Sequence, residues 1–280
     1  MTVFLYPNQT KDTDLSVTRS AAELLRGFGV RVLMDPAYAS IIGPCAEYTN
    51  CRDGISVSDL VVTVGGDGTL LRAAADCLSC NKPVLGVSLG RTGFLATCEV
   101  PQMEEKFRRL SKGQYHLEYR TLLQAEVPGD TWQAIAVNDV VLYGRSRLHP
   151  MDFVVYCDGI CVGNFRSDGV IVSTPTGSTA YSLSAGGPIL DVTSQVFVMS
   201  AICPHGGQLA PLVFSPQRRL RILSAPENRD VVLACADSRT SHTLAPGESI
   251  DILNAAQTLA YAVFDDAEQF RAIENKLTRR

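Results

Sequence analysis

A glycine-rich turn follows a buried strand early in the chain, and its residue types suit phosphate chemistry. Leu60–Val64 is a continuous apolar run, and Gly65–Thr69 follows it with the sequence Gly-Gly-Asp-Gly-Thr. Glycine lets the backbone approach a ligand closely, and the unpaired N–H groups of a following helix attract phosphate. Because ligands in open α/β sheets bind at the carboxyl ends of strands, the turn predicts an anion site there.

Asp67 lies inside this turn, where its negative charge would oppose a bound phosphate. A carboxylate at this place suits phosphoryl transfer, in which it orients an acceptor hydroxyl and takes its proton. The alternative is that Asp67 only caps the following helix while the glycines form a tight turn. The turn is not a P-loop, because no Gly-Lys-Ser/Thr sequence follows it.

A second polar run, Asp168–Ile189, begins as a strand and continues through Pro-Thr-Gly-Ser-Thr into a short helical stretch. Five hydroxyl-bearing residues lie within Ser173–Thr179, and such side chains suit the edges of a base and a ribose. Tyr181 is suited to stacking on a ring. The alternative is a capped loop whose hydroxyls bond only the nearby backbone, and the residue types alone leave both open.

Taken together, these segments resemble the NAD kinase family. The resemblance rests on Gly65–Thr69, on the sequence Asn-Asp-Val-Val-Leu at Asn138–Leu142 and on Thr174–Ile189, which occur in the family's order. Leu89–Leu95 resembles the family's Gly-Phe-Leu turn, and the similarity extends over residues 60–225. Diacylglycerol kinases, sphingosine kinases and phosphofructokinases share the form of the glycine turn, whereas the Thr174–Ile189 run is highly specific.

The resemblance implies an enzyme that transfers a phosphoryl group from ATP, or from polyphosphate, to the 2′-hydroxyl of the adenosine ribose of NAD. Mg²⁺ or another divalent cation would accompany the donor. Asp67 would be the general base, and Gly66, Gly68 and Thr69 would hold the ATP phosphates. No lysine is obviously placed to neutralise the transferred group, so the cation and the backbone amides would carry most of its charge. Arg72 is either a helper in this neutralisation or an exposed helical residue, and we favour the second.

The family's dinucleotide-binding positions match residues in the second half of the chain. Asn138 and Asp139 match an Asn-Glu pair that binds the NAD ribose, with the acid here about 1.5 Å shorter in reach. Asp168 matches an acid near the nicotinamide end. Arg166 either faces a phosphate or is a surface residue. The positions that match adenine and adenosine contacts are Thr176, Thr179, Ala180, Tyr181 and Ser184. No residue is assigned as a metal ligand.

Two segments depart from the family pattern. Cys203-Pro204-His205 resembles its Cys-Pro-His turn, but Gly206–Ala210 replaces the usual Thr-Leu-Ser-x-Arg continuation, so any contact from that arginine is lost. We expect His205 to be a buried, hydrogen-bonded turn residue rather than a catalyst. Ala236–Arg239 stands where the family commonly has Asp-Gly-Gln, so the sequence does not assign this cofactor-facing loop.

The elements that must position these residues change character along the chain. Alternating strand and helix signals predict a parallel sheet with helices on its faces, with a long loop over residues 35–58. The segments are Val3–Tyr6, Asp14–Phe28, Val30–Met34, Leu60–Val64, Leu70–Leu78 and Val84–Val87. From Glu99, short strands separated by turns predict an antiparallel, sandwich-like β domain. Its strands are Tyr119–Val127, Gln133–Leu142, Asp152–Cys157, Ile160–Phe165, Val170–Ser173, Leu220–Leu223 and Val231–Ala236.

We therefore predict an N-terminal α/β domain over residues 1–98 and a β-rich NAD-binding domain over residues 99–264. A C-terminal helix lies in the tail, residues 265–280, which we expect to pack back on the first domain. The family resemblance also implies a homo-oligomer, either a dimer or a tetramer, that associates through the β domain.

Composition narrows the function classes. The 280 residues are 46% hydrophobic and 19% charged with a net charge of −4, which excludes a disordered chain and a general nucleic-acid binder. No apolar stretch approaches the ~20 residues that span a bilayer, and the start lacks a secretory signal. We therefore expect a cytoplasmic protein with no membrane or nucleic-acid partner. Cys77 and Cys80 have C-x-x-C spacing but no second pair, so free thiols are favoured over zinc.

Three other functions compete with this interpretation. A lipid or sugar kinase would share the glycine turn and phosphorylate a different hydroxyl, but the Thr174–Ile189 run argues against it. A non-catalytic dinucleotide-binding regulator would keep the adenosine pocket and lose the base. Asp67 argues against a regulator, and the altered Ala236–Arg239 segment favours one. A Rossmann dehydrogenase is disfavoured because no G-x-G-x-x-G follows an early strand.

Overall fold

The computed structural model describes residues 1–90, 93–146, 149–207 and 209–278, and the chain divides into two compact units. Residues 1–120 and the segment that begins at Leu259 form the first unit, and Thr121–Thr258 forms the second. The domain divisions that we predict from the sequence lie at 98/99 and 264/265. The first unit extends further because the helix over Met103–Ser111 buries Phe107 in its core, against the helix over Ser16–Gly27.

The first unit contains the parallel sheet that the sequence predicts. The strands pair in the order β3-β2-β1-β4-β5, all parallel, and β6 pairs with the end of β5. Parallel pairing brings the carboxyl ends of β1, β4 and β5 to one edge. The strands are β1 (Thr2–Pro7), β2 (Arg31–Met34), β3 (Glu47–Tyr48), β4 (Leu60–Gly65), β5 (Val84–Ser88) and β6 (Cys98–Glu99).

The helices are short, and none among the described residues is both long and apolar enough to cross a membrane. They are α1 (Ser16–Gly27), α2 (Ala39–Ile42), α3 (Cys51–Val57), α4 (Asp67–Ser79), α5 (Met103–Ser111), α6 (Tyr181–Ser184) in the second unit, and α7 (Glu268–Ile273). A π-helical turn, Glu274–Thr278, follows α7. The C-terminal segment is therefore helical, and it belongs to the first unit.

The prediction of a long loop over residues 35–58 is wrong, because this stretch contains α2, α3 and two 3₁₀ turns. Helix α3 begins after Asn50, whose side chain accepts the N–H of Asp53 at 2.9 Å. Gly54 lies so close to the ring of Phe4 that a Cβ there would be 2.4 Å from it. Capping and a long-range contact order the segment despite its weak hydrophobic periodicity.

The second unit is a sandwich of antiparallel strands, as the sequence predicts. One sheet has the order β14-β13-β12-β9-β16-β17, and the other contains β11-β10-β15-β18, with β7 paired to β8 and β18. Phe153 and Phe197 are fully buried in its core. The strands are β7 (His116–Glu126), β8 (Gln133–Ala136), β9 (Asp139–Gly144), β10 (Met151–Cys157), β11 (Ile160–Ser167), β12 (Gly169–Ser173), β13 (Phe197–Ile202), β14 (Leu212–Phe214), β15 (Arg219–Ser224), β16 (Val232–Ala236), β17 (Thr240–Leu244) and β18 (Ser249–Val263).

One predicted strand is in fact two. The run Gln133–Leu142 breaks between β8 and β9, so Val137 and Asn138 lie outside both strands. The carbonyl of Asn138 accepts the N–H of Thr174 at 2.9 Å. Between the two strands, the backbone therefore bonds the polar run instead of a neighbouring strand. Asn138 thus lies between the two strands, with its backbone against that run.

Candidate active site

The glycine turn connects β4 to α4 as predicted, but the helix begins earlier, at Asp67, with Gly66 in the N-cap position. A Cβ on Gly65 would lie 2.2 Å from Oγ1 of Thr69, so only glycine fits there. The Thr69 hydroxyl accepts a bond from Asn8 at 2.9 Å, and its N–H donates to the Gly66 carbonyl at 2.8 Å. Thr69 is thus buried and orders the turn in this structure.

The N–H groups of Gly66, Asp67 and Gly68 have no acceptor within the described part of the chain. They belong to the N-cap and first turn of α4, where N–H groups have no intrahelical partner. A Cβ on Gly68 would meet no atom within 4 Å, so this residue faces open space. The turn therefore offers free donors and the positive end of a helix dipole to an anion.

The carboxylate of Asp67 does not cap its own helix, and the capping alternative is wrong. Its Oδ1 accepts the N–H groups of Leu95 at 3.1 Å and Ala96 at 2.9 Å, and its Oδ2 accepts that of Phe94 at 3.0 Å. A Cβ on Gly93 would lie 1.9 Å from Oδ1. The predicted Gly-Phe-Leu turn thus binds Asp67 with its backbone, although Arg91 and Thr92 of that segment lie outside the described residues.

These bonds leave one oxygen of Asp67 under-used. A carboxylate oxygen has two lone pairs, and Oδ1 already accepts two N–H groups. Oδ2 accepts one and is partly exposed, with 33% of the side chain accessible. The remaining acceptor position of Oδ2 is therefore available to a hydroxyl donor.

Two lysines lie beside the turn, which the sequence did not predict. The turn lines a cleft of about 500 Å³ together with Lys11 and Lys276. Lys11 was within reach of sequence reasoning, because it lies four residues after β1, the neighbour of β4 in the sheet. Lys276 comes from the C-terminal segment and gives no local signal. Arg72 is exposed on α4, bonds Thr69 at 3.4 Å and does not line the cleft.

In the second unit, Asp237 binds the short connection between β8 and β9 that contains Asn138. Its carboxylate accepts the N–H groups of Val137 at 2.7 Å, Asn138 at 2.8 Å and Asp139 at 3.2 Å. Its own N–H donates to the Asp139 carbonyl at 3.0 Å. Both Asp237 and Ser238 have positive φ, 47° and 56°, in the tight connection between β16 and β17. The loop that departs from the family pattern therefore positions Asn138 and Asp139.

Asp139 and Asp237 are a coupled pair of carboxyl groups. Burial raises the pKa of Asp139 to about 7, and the negative charge of Asp237 contributes to this rise. Burial also raises the pKa of Asp237, against the opposing effect of its three N–H donors. The three N–H donors favour the charged form of Asp237, whereas Asp139 holds a proton below neutral pH.

The polar run Thr174–Ile189 packs against the connection between β8 and β9, at Val137 and Asn138. Thr174 donates its hydroxyl to the Val137 carbonyl at 2.6 Å and accepts the N–H of Gly177 at 3.0 Å. A Cβ on Gly177 would lie 2.1 Å from the Asn138 carbonyl oxygen. Two buried side-chain atoms, Oδ1 of Asn138 and Oγ1 of Thr176, have no partner among the described residues. Such unpaired atoms are the groups that a polar ligand would satisfy.

The other predicted adenosine-contacting residues are more accessible. Thr179 and Ala180 are half-buried, whereas Ser184 is exposed and Tyr181 is 47% exposed, as a stacking residue would be. Thr179 donates its hydroxyl to the Thr176 carbonyl at 3.3 Å. These residues follow one another on a 3₁₀ turn and α6, and Gly177 of that turn lies against Asn138.

Arg166 and Asp168 lie apart from this cluster of unpaired atoms. Arg166 binds Asp152 with two bonds, at 2.9 and 2.6 Å, and is exposed. Asp168 lies 3.5 Å from Nε2 of His205. His205 is exposed, so its expected burial is wrong, although its N–H does donate to the Arg166 carbonyl at 2.8 Å. Gly206 and Gly207, which follow it, are also exposed, and Gln208 lies outside the described residues.

Comparison with known proteins decides between the alternatives. Residues 45–115 match the model of the ATP-NAD kinase N-terminal domain, and residues 137–263 match that of the ATP-NAD kinase C-terminal domain. The chain is 33% identical to the NAD kinase of Caldanaerobacter subterraneus subsp. tengcongensis over 99% of both chains. The chain belongs to the NAD kinase family.

Other NAD kinases agree with this assignment. The enzyme of Acinetobacter baylyi is 39% identical over 81% of this chain and 75% of its own. The crystal structure of yeast NADH kinase complexed with NADH superposes with a TM-score of 0.86 at 26% identity, covering 99% and 87% of the two chains. The Archaeoglobus fulgidus NAD kinase in complex with ATP shares the fold, with a TM-score of 0.80 at 23% identity and 99% coverage of both chains.

Within the described ranges, no group of three or more His, Cys, Asp or Glu side chains that could hold a metal ion occurs. Asp67 is the one carboxylate among the described residues that line the cleft of the glycine turn. Cys77 is a free thiol buried in α4, and burial raises its pKa. A divalent cation would therefore find a single carboxylate in this cleft.

Proposed function

We propose that this chain phosphorylates NAD on the 2′-hydroxyl of its adenosine ribose, with ATP as the donor. Membership of the NAD kinase family supports the reaction. The structural observation that carries it is the Asp67 carboxylate, held by three backbone N–H groups with one acceptor position left on Oδ2. A fixed carboxylate beside free N–H donors supplies what phosphoryl transfer asks of a protein, namely positioning and charge stabilisation.

In the first unit, Asp67 receives the acceptor hydroxyl on Oδ2 and the glycine turn receives the donor phosphates. The N–H groups of Gly66 and Gly68 bind phosphate oxygens, and Thr69 keeps the turn in shape. As the 2′-oxygen forms its bond to the γ-phosphorus, the bond to the oxygen that leaves with ADP breaks. The proton of the hydroxyl passes to Asp67.

In the second unit, the unpaired atoms recognise the dinucleotide. Oδ1 of Asn138 and Oγ1 of Thr176 bind polar groups of the adenosine, and the exposed Tyr181 ring stacks on a base. Asp139 binds a ribose hydroxyl, held in place through Asp237. Asp168 binds near the nicotinamide end of NAD. Thr179, Ala180 and Ser184 complete the adenosine contacts, whereas Arg166 stays on Asp152.

Mg²⁺ or another divalent cation would accompany the ATP phosphates, and Asp67 is the carboxylate among the described residues of the cleft that could help to hold it. This matches the usual behaviour of Mg²⁺, which binds through substrate phosphates and one or two carboxylates. The cation supplies charge neutralisation when present. We also propose a cytoplasmic location.

A homo-oligomer, a dimer or a tetramer, completes the proposal. The edge strand β11 carries Ile160 and Val162, which are 71% and 36% exposed. An edge strand with exposed apolar side chains is a surface that another chain can cover.

The reaction is tested with the purified full-length protein, NAD, ATP and Mg²⁺, with NADP detected through an NADP-specific dehydrogenase. The account predicts NADP formation that depends on both substrates. Parallel reactions with diacylglycerol and fructose phosphate as acceptors test the lipid and sugar kinase alternatives. Phosphorylation of either in place of NAD would overturn the proposal, and so would NAD binding without turnover.

A further inference from the structure

Two cationic side chains enter the cleft of the glycine turn from distant parts of the sequence. Nζ of Lys11 lies 3.2 Å from the position that a Cβ on Gly66 would occupy. Nζ of Lys276 lies 3.8 Å from Oδ2 of Asp67. Among the described residues lining the cleft, these two positive charges face one negative charge, so the cleft carries an excess of positive charge.

Lys276 lies beside the one under-used oxygen of the site. Its Nζ is 4.2 Å from the centroid of the Phe94 ring, and the N–H of Phe94 donates to the same Oδ2 at 3.0 Å. A separation of 3.8 Å is longer than a hydrogen bond, and the lysine side chain is 27% exposed. The stem is therefore held by the ring, while the ammonium group is held only loosely by the carboxylate.

We propose that Lys276 serves two anionic partners in turn, the Asp67 carboxylate in the free enzyme and the phosphates of the donor when ATP is bound. This inference rests on the proposed function. A triphosphate carries several negative charges against one on Asp67, so it attracts the ammonium group more strongly. A flexible lysine stem with rotatable bonds permits the move while the contact with Phe94 persists.

The exchange links the two substrates. In the free enzyme the ammonium group of Lys276, 3.8 Å from Oδ2, is not hydrogen-bonded to Asp67 but hinders the approach of the acceptor hydroxyl to it. Once ATP draws Lys276 away, the hydroxyl of NAD reaches the free acceptor position of Oδ2 without this hindrance. NAD should therefore bind more tightly when the donor site is filled, and by reciprocity ATP should bind more tightly in the presence of NAD. A partly exposed ion pair limits the gain to about fivefold.

The test compares three variants of the full-length protein. Lys276→Met removes the charge and keeps a stem that packs on Phe94, and Lys276→Arg keeps the charge. Lys112→Met is the matched control, because Lys112 is exposed beyond the end of α5, outside the cleft. The measurements are KM for ATP, kcat, and the dissociation constant of NAD with and without β,γ-imido-ATP and Mg²⁺. Direct binding of β,γ-imido-ATP and a thermal unfolding scan accompany them.

Lys276→Met should raise KM for ATP by about tenfold, the scale expected for a lost charged phosphate contact. In the same variant the NAD dissociation constant should become independent of β,γ-imido-ATP, because Asp67 is uncovered in both states. Lys276→Arg should restore KM for ATP to within about threefold, and Lys112→Met should match the parent protein.

An unchanged KM for ATP in a folded Lys276→Met protein would overturn the inference. A rise in KM for NAD alone would also overturn it, by placing Lys276 on the phosphates of the dinucleotide. If Lys276→Met fails to fold, the Lys276→Arg protein decides the matter, since loss of ATP affinity there would contradict a charge-based role. Failure of the proposed function appears differently, as a parent protein that binds β,γ-imido-ATP through Lys276 but makes no NADP.

Discussion

A Cβ on Gly93 would lie 1.9 Å from Oδ1 of Asp67, so the backbone facing this carboxylate requires glycine. Without a side chain at residue 93, the next three N–H groups reach Asp67 at 2.9–3.1 Å. The orientation of the proposed general base is thus set by a segment far from it in the sequence.

Gly93→Ala should displace Asp67 and lower the rate of NADP formation by about a hundredfold, the effect of a misplacement near 1 Å. Gly27→Ala is the matched control, because a Cβ at the end of α1 meets no atom within 4 Å. Initial rates and thermal unfolding of both proteins check the prediction. Equal rates in the two variants would show that the position of Asp67 does not limit the reaction.

Asp237→Asn should weaken the support of Asn138 and Asp139. An amide retains one oxygen and leaves at least one of the three N–H groups facing an NH₂ group, at a cost of about 1–3 kcal/mol in the free energy of unfolding. We expect KM for NAD to rise about tenfold with a smaller change in kcat, as for a lost binding contact. Measurement at pH 6, where Asp139 holds its proton, avoids the repulsion between the two carboxylates.

Asp130→Asn is the control for this substitution. Asp130 also accepts a backbone N–H, that of Trp132 at 2.8 Å, but in an exposed turn. The Asp130→Asn substitution should change the free energy of unfolding by less than about 0.5 kcal/mol. A fall in kcat with an unchanged KM for NAD in Asp237→Asn would contradict a positioning role for Asp237.

The raised pKa of Asp139 predicts a pH-dependent stability. The pKa rises from 3.8 in the unfolded chain to about 7 in the fold, so between these values the folded state binds a proton that the unfolded state lacks. The free energy of unfolding should therefore fall as the pH rises from about 4 to 7. Asp139→Asn should reduce this dependence of the free energy of unfolding on pH. Part of the dependence should remain, because the pKa of Asp237 is also raised in the fold. Urea unfolding at pH 5 and pH 7 gives the comparison, and an unchanged slope would contradict the assignment.

Ile160→Asp should disrupt the proposed oligomer by placing a charge on the edge strand β11. Val57→Asp is the control, because Val57 is 62% exposed at the end of α3 in the other unit. Light scattering after size-exclusion chromatography measures the mass of each. A parent protein that is monomeric, or an Ile160→Asp protein that keeps its assembly, would contradict this surface assignment.

The parallel sheet and the glycine turn are predictable from the sequence because their signals are local. β4 is buried on both faces, its side chains are apolar except that of Thr63, and the glycine turn begins at its end. β18 has no such signal, since its middle, Asn254–Thr258, contains mostly Ala and polar residues. Its pairing with β15 and with Val84 of β5 specifies it as a strand.

The site residues were predictable as types but not as contacts. The run Thr174–Ile189 indicates a polar ligand. Nothing near Asn138 in the sequence indicates its contact with Asp237, which is about a hundred residues away. Lys276 reaches Asp67 from the end of the chain for the same reason. Interactions between residues far apart depend on the complete fold, which a local pattern does not contain.

The central claim is that Asp67 orients and deprotonates the 2′-hydroxyl of NAD. The decisive measurement is the rate of NADP formation by Asp67→Asn, together with its dissociation constant for NAD. The account predicts a rate lower by a few hundredfold or more, with NAD binding largely retained. An Asp67→Asn protein that makes NADP at close to the parent rate would contradict it.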